Sequence, residues 1–232
     1  MRIAHILPFN EIGGTEIGQL NVMRAGRKAG VDSFAIFPPD SEKVVTHFRD
    51  AGFEAFSYEP PPPSFRRGVA FYQASSRAAA LLRQHGAKAV HCANVLGGYH
   101  WSLAGRLAAI PVLCHVRGRF DQMPFREGFF LRWVNRWVFV SQSAWDRFSI
   151  AVRPADGSVL YDGVSFASAP EDAAESVRAE FGLAPDTVLA AMFCRVAPQK
   201  DFETLIRAAA ILSSRVPRLR FLIVGDNGNV EA

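Results

Sequence analysis

Short apolar runs alternate with amphipathic stretches along almost the whole chain. Arg2–Leu7 reads as a strand, a loop spans Pro8–Glu16, and a helix then runs to about Lys28, where Gly30 stops it. Ser33–Phe37 reads as the next strand, completing a βαβ unit of ordinary size for which a right-handed crossover is expected. Phe53–Tyr58 predicts a third strand, and Pro60–Pro63 a stiff extended connector that suits neither helix nor central strand. The alternation continues with a helix near Phe65–His85, a strand at Ala89–Cys92, a helix around Tyr99–Ala109 and a strand at Val112–Val116. A helix near Phe125–Arg136, a strand at Val138–Ser141, a short helix at Ser143–Ile150 and a strand at Ser158–Tyr161 follow. Alternation of this kind without hairpin signals predicts an α/β fold built on a doubly wound parallel sheet.

The small, polar segment Ser165–Asp172 interrupts the pattern and places a domain boundary there, giving domains at 1–165 and 166–232. From Thr187 to Asp226 the alternation resumes as a strand, a basic loop, an amphipathic helix and a second strand. TVLAAMF and FLIV are near-continuous apolar runs, the pattern of strands covered on both faces. Two or three parallel strands are too few for an independently stable sheet, so this part is expected to be the opening portion of a second domain.

Bulk properties narrow the field modestly. Hydrophobic residues make up 49% of the 232, enough for a sizeable core. A net charge of +4 is too small to argue for nucleic acid, and no aromatic-and-basic RNA-binding signature is present. Cys92, Cys114 and Cys194 lack CxxC spacing, so free thiols are expected rather than a disulfide framework or a zinc site. The amino terminus enters a strand directly and does not read as a signal peptide, and no apolar run approaches the ~18 residues of a membrane span. A cytoplasmic location is therefore expected. One segment, FREGFFLRWVNRWVFV, sets Arg132, Asn135 and Arg136 on a polar stripe of an aromatic helix, which fits either a helix covering the sheet or peripheral contact with the inner face of a membrane.

Ligands of open parallel sheets sit at the carboxyl ends of the strands, and several of those loops carry chemistry. After the first strand, Gly13 and Gly14 let the backbone approach a ligand, with Thr15 a candidate cap and Glu16 beside it; the alternative is a tight turn. After the fifth, His115 is followed by Arg117, Gly118 and Arg119, suited to a hydroxyl or an anion, unless the histidine is simply packed at the sheet edge. In FCRVAPQKDFETLIRAAAIL, Arg195 and Lys200 bracket a loop before a helix whose apolar face is Phe202, Leu205, Ile206, Ala209 and Leu212. Asp201 is a plausible N-cap, and two cations beside a helix amino terminus suit a diphosphate better than two solvated surface charges. No dinucleotide fingerprint is present, because the glycine spacing is G-G-x-x-x-G and no acid ends the second strand, which disfavours a nucleotide-dependent oxidoreductase.

Taken in order, GGTE, His115, FVSQS, VLYDGVSF, RVAPQKDFETLIRA and LIVGDNG resemble the retaining glycosyltransferases of family 4, which have the GT-B fold of two facing Rossmann-like domains. The resemblance implies a complete N-terminal acceptor-side domain and the first part of a nucleotide-sugar donor domain. By resemblance, Arg195 and Lys200 bind the donor diphosphate and stabilise its departure, and His115 lies near the transferred sugar. Gly13, Gly14, Thr15, Glu16 and Arg117 belong to the loops near donor phosphates and acceptor, and Gly225 and Asp226 to the nucleotide side. The implied substrates are a UDP- or GDP-sugar donor and a saccharide or lipid-linked acceptor, with no cofactor and no metal. Asp162 stands where the family has Asn and Ser165 where it has Asp. The family's glutamates that contact donor sugar and ribose have no counterpart here, so the isolated chain is expected to be inactive. The alternative is a non-enzymatic binding or assembly module that pairs with a partner or a second copy through an incomplete C-terminal sheet.

Overall fold

A computed structural model describes residues 1–163 and 168–225. The chain divides into two compact units, Met1–Val164 and Ser165–Ala232. In the first, seven strands form one sheet: β1 (Arg2–Ile6), β2 (Asp32–Phe37), β3 (Glu54–Ser57), β4 (Ala89–Cys92), β5 (Val112–Val116), β6 (Arg136–Phe139) and β7 (Gly157–Val159). Their order is β3-β2-β1-β4-β5-β6-β7 with every pairing parallel. The order reverses between β1 and β4, which puts a ligand crevice at the carboxyl ends of those strands.

Strand alternation divides the apolar side chains between two cores. Beneath α1 (Gly14–Lys28) and α2 (Glu42–Asp50), Leu20, Met23, Val44 and Phe48 meet Ala35, Phe37 and Ala55. On the opposite face, α3 (Gly68–Gln84), α4 (Val95–Ala108) and α5 (Phe125–Leu131) bring Phe71, Leu82, Trp101 and Phe130 onto Ile36, Val90, Cys92 and Cys114. Phe34 and Ile36 thus face one core and Ala35 and Phe37 the other, as the period of two requires. Close seating of α4 depends on two glycines: a Cβ on Gly98 would lie 2.9 Å from Cys114 Sγ, and one on Gly105 2.2 Å from Val112 Cγ2.

Several expectations are corrected. The helix expected at Phe125–Arg136 ends at Leu131, and β6 begins at Arg136. Asn135 is drawn into the sheet, its Oδ1 accepting the Val112 N–H at 2.8 Å, so Arg132, Asn135 and Arg136 share no helical stripe. The helix expected around Tyr99–Ala109 begins earlier, at Val95, because Asn94 caps α4 by accepting the Gly97 N–H at 3.0 Å. The following helix α6 (Gln142–Asp146) is shorter than expected. Helix α2 carries no strong apolar signal apart from Val44, Val45 and Phe48, and had no counterpart in the sequence reading.

The second unit contains α7 (Ala173–Glu180), β8 (Val188–Phe193), α8 (Phe202–Arg215) and β9 (Leu219–Val224), with β8 and β9 parallel. Here the expectation of strands covered on both faces fails. Among its described residues only Thr187 is buried, while Phe193, Ile206, Ile211, Ile223 and Val224 are exposed. Two strands and two helices offer too few partner surfaces to cover those runs. All three cysteines are free; Cys92 and Cys114 are buried, and burial pushes both thiols well above their ordinary range.

Candidate functional site

The first strand delivers the chain to a glycine pair at the start of α1. Gly13 is the N-cap, and Glu16 Oε2 accepts the Gly13 N–H at 3.1 Å. Thr15 therefore lies in the first helical turn rather than at the cap. Glu16 is buried, and a Cβ on Gly13 would sit 3.2 Å from its carboxylate. A Cβ on Gly14 would meet nothing within 4 Å, so packing does not demand glycine at that exposed position.

Behind this loop lies a row of imidazoles. Parallel pairing sets His5 on β1 opposite His91 on β4, and His115 on β5 follows one diagonal step on, its ring stacked 5.7 Å from that of His91. Gln19 of α1 reaches both neighbours, with Nε2 2.7 Å from His5 Nδ1 and 3.3 Å from His91 Nδ1. The two Nδ1 atoms also lie 3.2 Å from each other, so Gln19 and both rings form one hydrogen-bonded cluster. His5 Nε2 lies 3.2 Å from Ser33 Oγ.

His115 is held from the other side. Arg117 Nη2 lies 3.3 Å from His115 Nδ1, while Arg117 Nη1 is ion-paired with Asp162. A guanidinium can only donate, so Nδ1 of His115 is an acceptor and the ring proton sits on Nε2. Burial, and secondarily the Arg117 charge, brings His115 down to about 4. Burial, then His115 and Arg117, brings His91 to about 3, and burial followed by His91 lowers His5. At neutral pH all three rings are uncharged. His115 is thus equipped to donate a hydrogen bond rather than to exchange a proton; its Nε2, like that of His91, has no partner among the described residues.

Arg117 also ties the first loops together. Its Nη1 would lie 3.5 Å from a Cβ on Gly18, so the guanidinium rests against α1, one turn beyond the glycine pair. Gln19, His5 and His91 were not singled out from sequence, and Asp162 only as a departure from the family's Asn. Asp162 follows β7, and β6 lies between β7 and β5, so nothing local in sequence announces its pairing with Arg117. His115 itself is only 2% exposed, inside β5, and Arg117 is the first residue beyond that strand.

In the second unit, Arg195 follows β8, and Lys200 ends a 3-10 turn, Pro198–Lys200, immediately before α8. Asp201 caps α8 from a left-handed backbone (φ 51°), its Oδ1 accepting the Thr204 N–H at 3.2 Å. The two cations are exposed at either end of this short loop. A Cβ on Gly225 would fall 1.8 Å from the Cys194 carbonyl oxygen, so glycine is needed where the ends of β8 and β9 meet. Asp226 lies outside the described residues.

Two cavities open on the first unit. One of about 200 Å³ runs along the imidazole row, lined otherwise by apolar side chains such as Leu113, Val138 and Leu160. A larger one, about 420 Å³, opens at the amino end of β6 beside Arg136, Arg153 and Asp156, away from every candidate residue. No group of three or more His, Cys, Asp or Glu among the described residues is arranged to hold a metal ion. No helix among them is long and apolar enough to cross a membrane.

Residues 13–144, more than half of the chain, match the family described as glycosyl transferase 4-like domain. Among solved structures, HepE of Anabaena, crystallised with UDP and glucose, is 17% identical with a TM-score of 0.76 over 97% of this chain and 61% of its own. A glycosyltransferase from Rickettsia africae is 16% identical with a TM-score of 0.77, over 99% of this chain and 61% of its own. The lipopolysaccharide outer core galactosyltransferase WaaB, in its apo form, is 14% identical with a TM-score of 0.66, over 99% and 62%. At these identities the likeness is one of fold, that of GT-B proteins, and the chain spans about three-fifths of the length of these relatives. No curated protein matches the sequence.

Proposed function

The chain belongs to the glycosyl transferase 4-like family, and from that premise we propose that it forms the acceptor-side domain and the first part of the donor domain of a retaining glycosyltransferase. The observation that carries this reading is the family match across residues 13–144, which takes in the glycine loop, His91, His115 and Arg117. HepE of Anabaena, similar in fold, has been seen with UDP-glucose, which supports a nucleotide-sugar donor. The acceptor is a saccharide or a lipid-linked glycan.

In the proposed reaction the bond between the sugar's anomeric carbon and the diphosphate oxygen breaks, and an acceptor hydroxyl oxygen bonds to that carbon on the same face. The hydroxyl proton passes to the departing phosphate oxygen, so the anomeric configuration is retained. Arg195 and Lys200 neutralise the leaving diphosphate at the amino end of α8, a charge that grows towards the transition state. Such neutralisation by cationic side chains needs no metal. The Gly13–Gly14 backbone admits the donor phosphates and acceptor, with Thr15 and Glu16 shaping the loop. His115, fixed by Arg117, donates through Nε2 to the sugar, and Gly225 and Asp226 flank the nucleotide.

Titration of the purified chain with UDP and GDP, followed by calorimetry, tests the donor side. Binding that Arg195→Ala or Lys200→Ala weakens supports the assignment, and unchanged affinity in both variants overturns it. The isolated chain is expected to show no turnover, because the family's glutamates that contact donor sugar and ribose have no counterpart among its described residues. A second reading, a module that pairs through its C-terminal strands, draws on the exposure of Phe193, Ile223 and Val224. A monomer by sedimentation equilibrium would dispose of it.

A further inference from the structure

An unusual amount of aromatic surface lies where the loops after β3 and β5 approach each other. Phe125 is 81% exposed and Phe65 53% exposed, and their rings stack at 6.5 Å. Phe65 also meets Phe129 at 5.1 Å and Phe130 at 5.2 Å. Phe130 is buried and packs on Phe71 of α3 at 5.2 Å. The cluster is therefore rooted in the core at one end and presents rings to solvent at the other. On the first turns of α3, Val69 (74% exposed) and Tyr72 (54%) are also exposed. Monomeric proteins rarely leave such side chains adjacent without a partner.

The charge around these rings identifies the occupant. Segments 60–72 and 124–132 contain four arginines, Arg66, Arg67, Arg126 and Arg132, and one acidic residue, Glu127. Arg66, Arg67, Arg126 and Arg132 are all exposed, and Arg132 lies over the Phe129 ring at 4.1 Å. The neighbouring carboxylate of Glu59 is turned away, onto His100 at 3.0 Å. Exposed phenylalanines flanked along the chain by four exposed arginines match the boundary between lipid phosphates and acyl chains, where the rings enter the apolar layer and the arginines remain on the phosphates.

We propose that this face docks on an anionic phospholipid surface. The single helical stripe expected from FREGFFLRWVNRWVFV does not exist. The docking surface is instead a composite of two loops and the start of α3, which only the fold assembles. Both loops leave the carboxyl edge of the sheet, the edge that carries Gly13 and Arg117. Docking there would set a lipid-borne acceptor beside the proposed site; that consequence rests on the transferase reading, whereas the docking does not.

Co-sedimentation of the full chain with vesicles of phosphatidylglycerol mixed with phosphatidylcholine, and with phosphatidylcholine alone, tests the proposal. Binding is expected to the anionic vesicles only, and to fall sharply at ~1 M salt, where screening reaches within about 3 Å. Arg66→Gln with Arg67→Gln should lower the partition coefficient at least ten-fold, since each surface arginine contributes about five-fold. Phe65→Ser with Phe125→Ser should lower it as far while leaving the circular dichroism spectrum unchanged, because both rings are exposed. Absence of binding by the folded wild-type chain overturns the proposal, as does binding that neither variant alters. Self-association lost in the phenylalanine variant, without vesicle binding, would assign the face to a second copy and equally overturn it. Nucleotide titration of the same variants should be unaffected, which separates failure of the docking from failure of the donor-site reading.

Discussion

Replacing Arg117 by Met isolates what the guanidinium does to His115. Wild-type His115 sits at about 4 against an ordinary 6.5. That gap of about 2.5 pH units corresponds to about 3 kcal/mol favouring the neutral ring. Burial is the larger cause and Arg117 the smaller, so the cation accounts for less than half of the gap. Methionine keeps the aliphatic stem and removes the charge, so His115 should rise by about one pH unit, to about 5. The assay is an NMR titration of the imidazole signals in protein labelled at histidine, with the nitrogen shifts reporting the tautomer. The wild-type ring should appear as the Nε2–H form, and the variant should lose that strict preference because Nδ1 no longer has its donor. A value unmoved from about 4 would refute an electrostatic role for Arg117. A rise to about 6.5 would refute the assignment of the larger share to burial.

Other consequences are measurable with simpler means. Because the folded values of His5, His91 and His115 lie below the unfolded one, the unfolded chain binds more protons from about pH 6.5 down through the folded values, about 4 for His115 and about 3 for His91; their stabilising contribution is complete above 6.5 and is lost as pH falls through that window. Urea unfolding of the chain should therefore give a midpoint that drops steadily on acidification below pH 6.5. Asp162→Asn strands a guanidinium whose side chain is 8% exposed, though Asp162 itself is 47% exposed, so a cost of about 1–2 kcal/mol in the same assay is expected. Gly105→Ala drives a Cβ into Val112 and should destabilise by about 1–3 kcal/mol, whereas Gly14→Ala should leave stability unchanged and weaken only nucleotide or acceptor binding. Arg195→Ala should weaken UDP or GDP binding by about ten-fold, the worth of one charge-assisted hydrogen bond, and equal affinities in calorimetry would return Arg195 to the solvated surface.

The alternation of apolar runs with amphipathic stretches was enough to locate every strand of the first unit to within about two residues, because a doubly wound sheet is built from local periodicities. It also placed Arg195 and Lys200 on either side of one loop and the cap at Asp201, since these depend on neighbours in the chain. What sequence could not fix was anything decided across strands. A helix was expected from Phe125 to Arg136, yet it stops at Leu131 and the sheet captures Arg136–Phe139, whose backbone bonds and buried Trp137 and Phe139 outweigh helical propensity. The neutral state of His115 follows from burial and then from Arg117, which is itself paired with Asp162 from beyond the last strand of the sheet. Likewise Phe65 and Phe125, sixty positions apart in the chain, become one surface only when α3 and α5 pack on the same face of the sheet. Local periodicity and residue identity define the elements and the chemical inventory of each loop. Which side chains share a dielectric environment is set by packing, because burial and mutual charge are properties of neighbours in space.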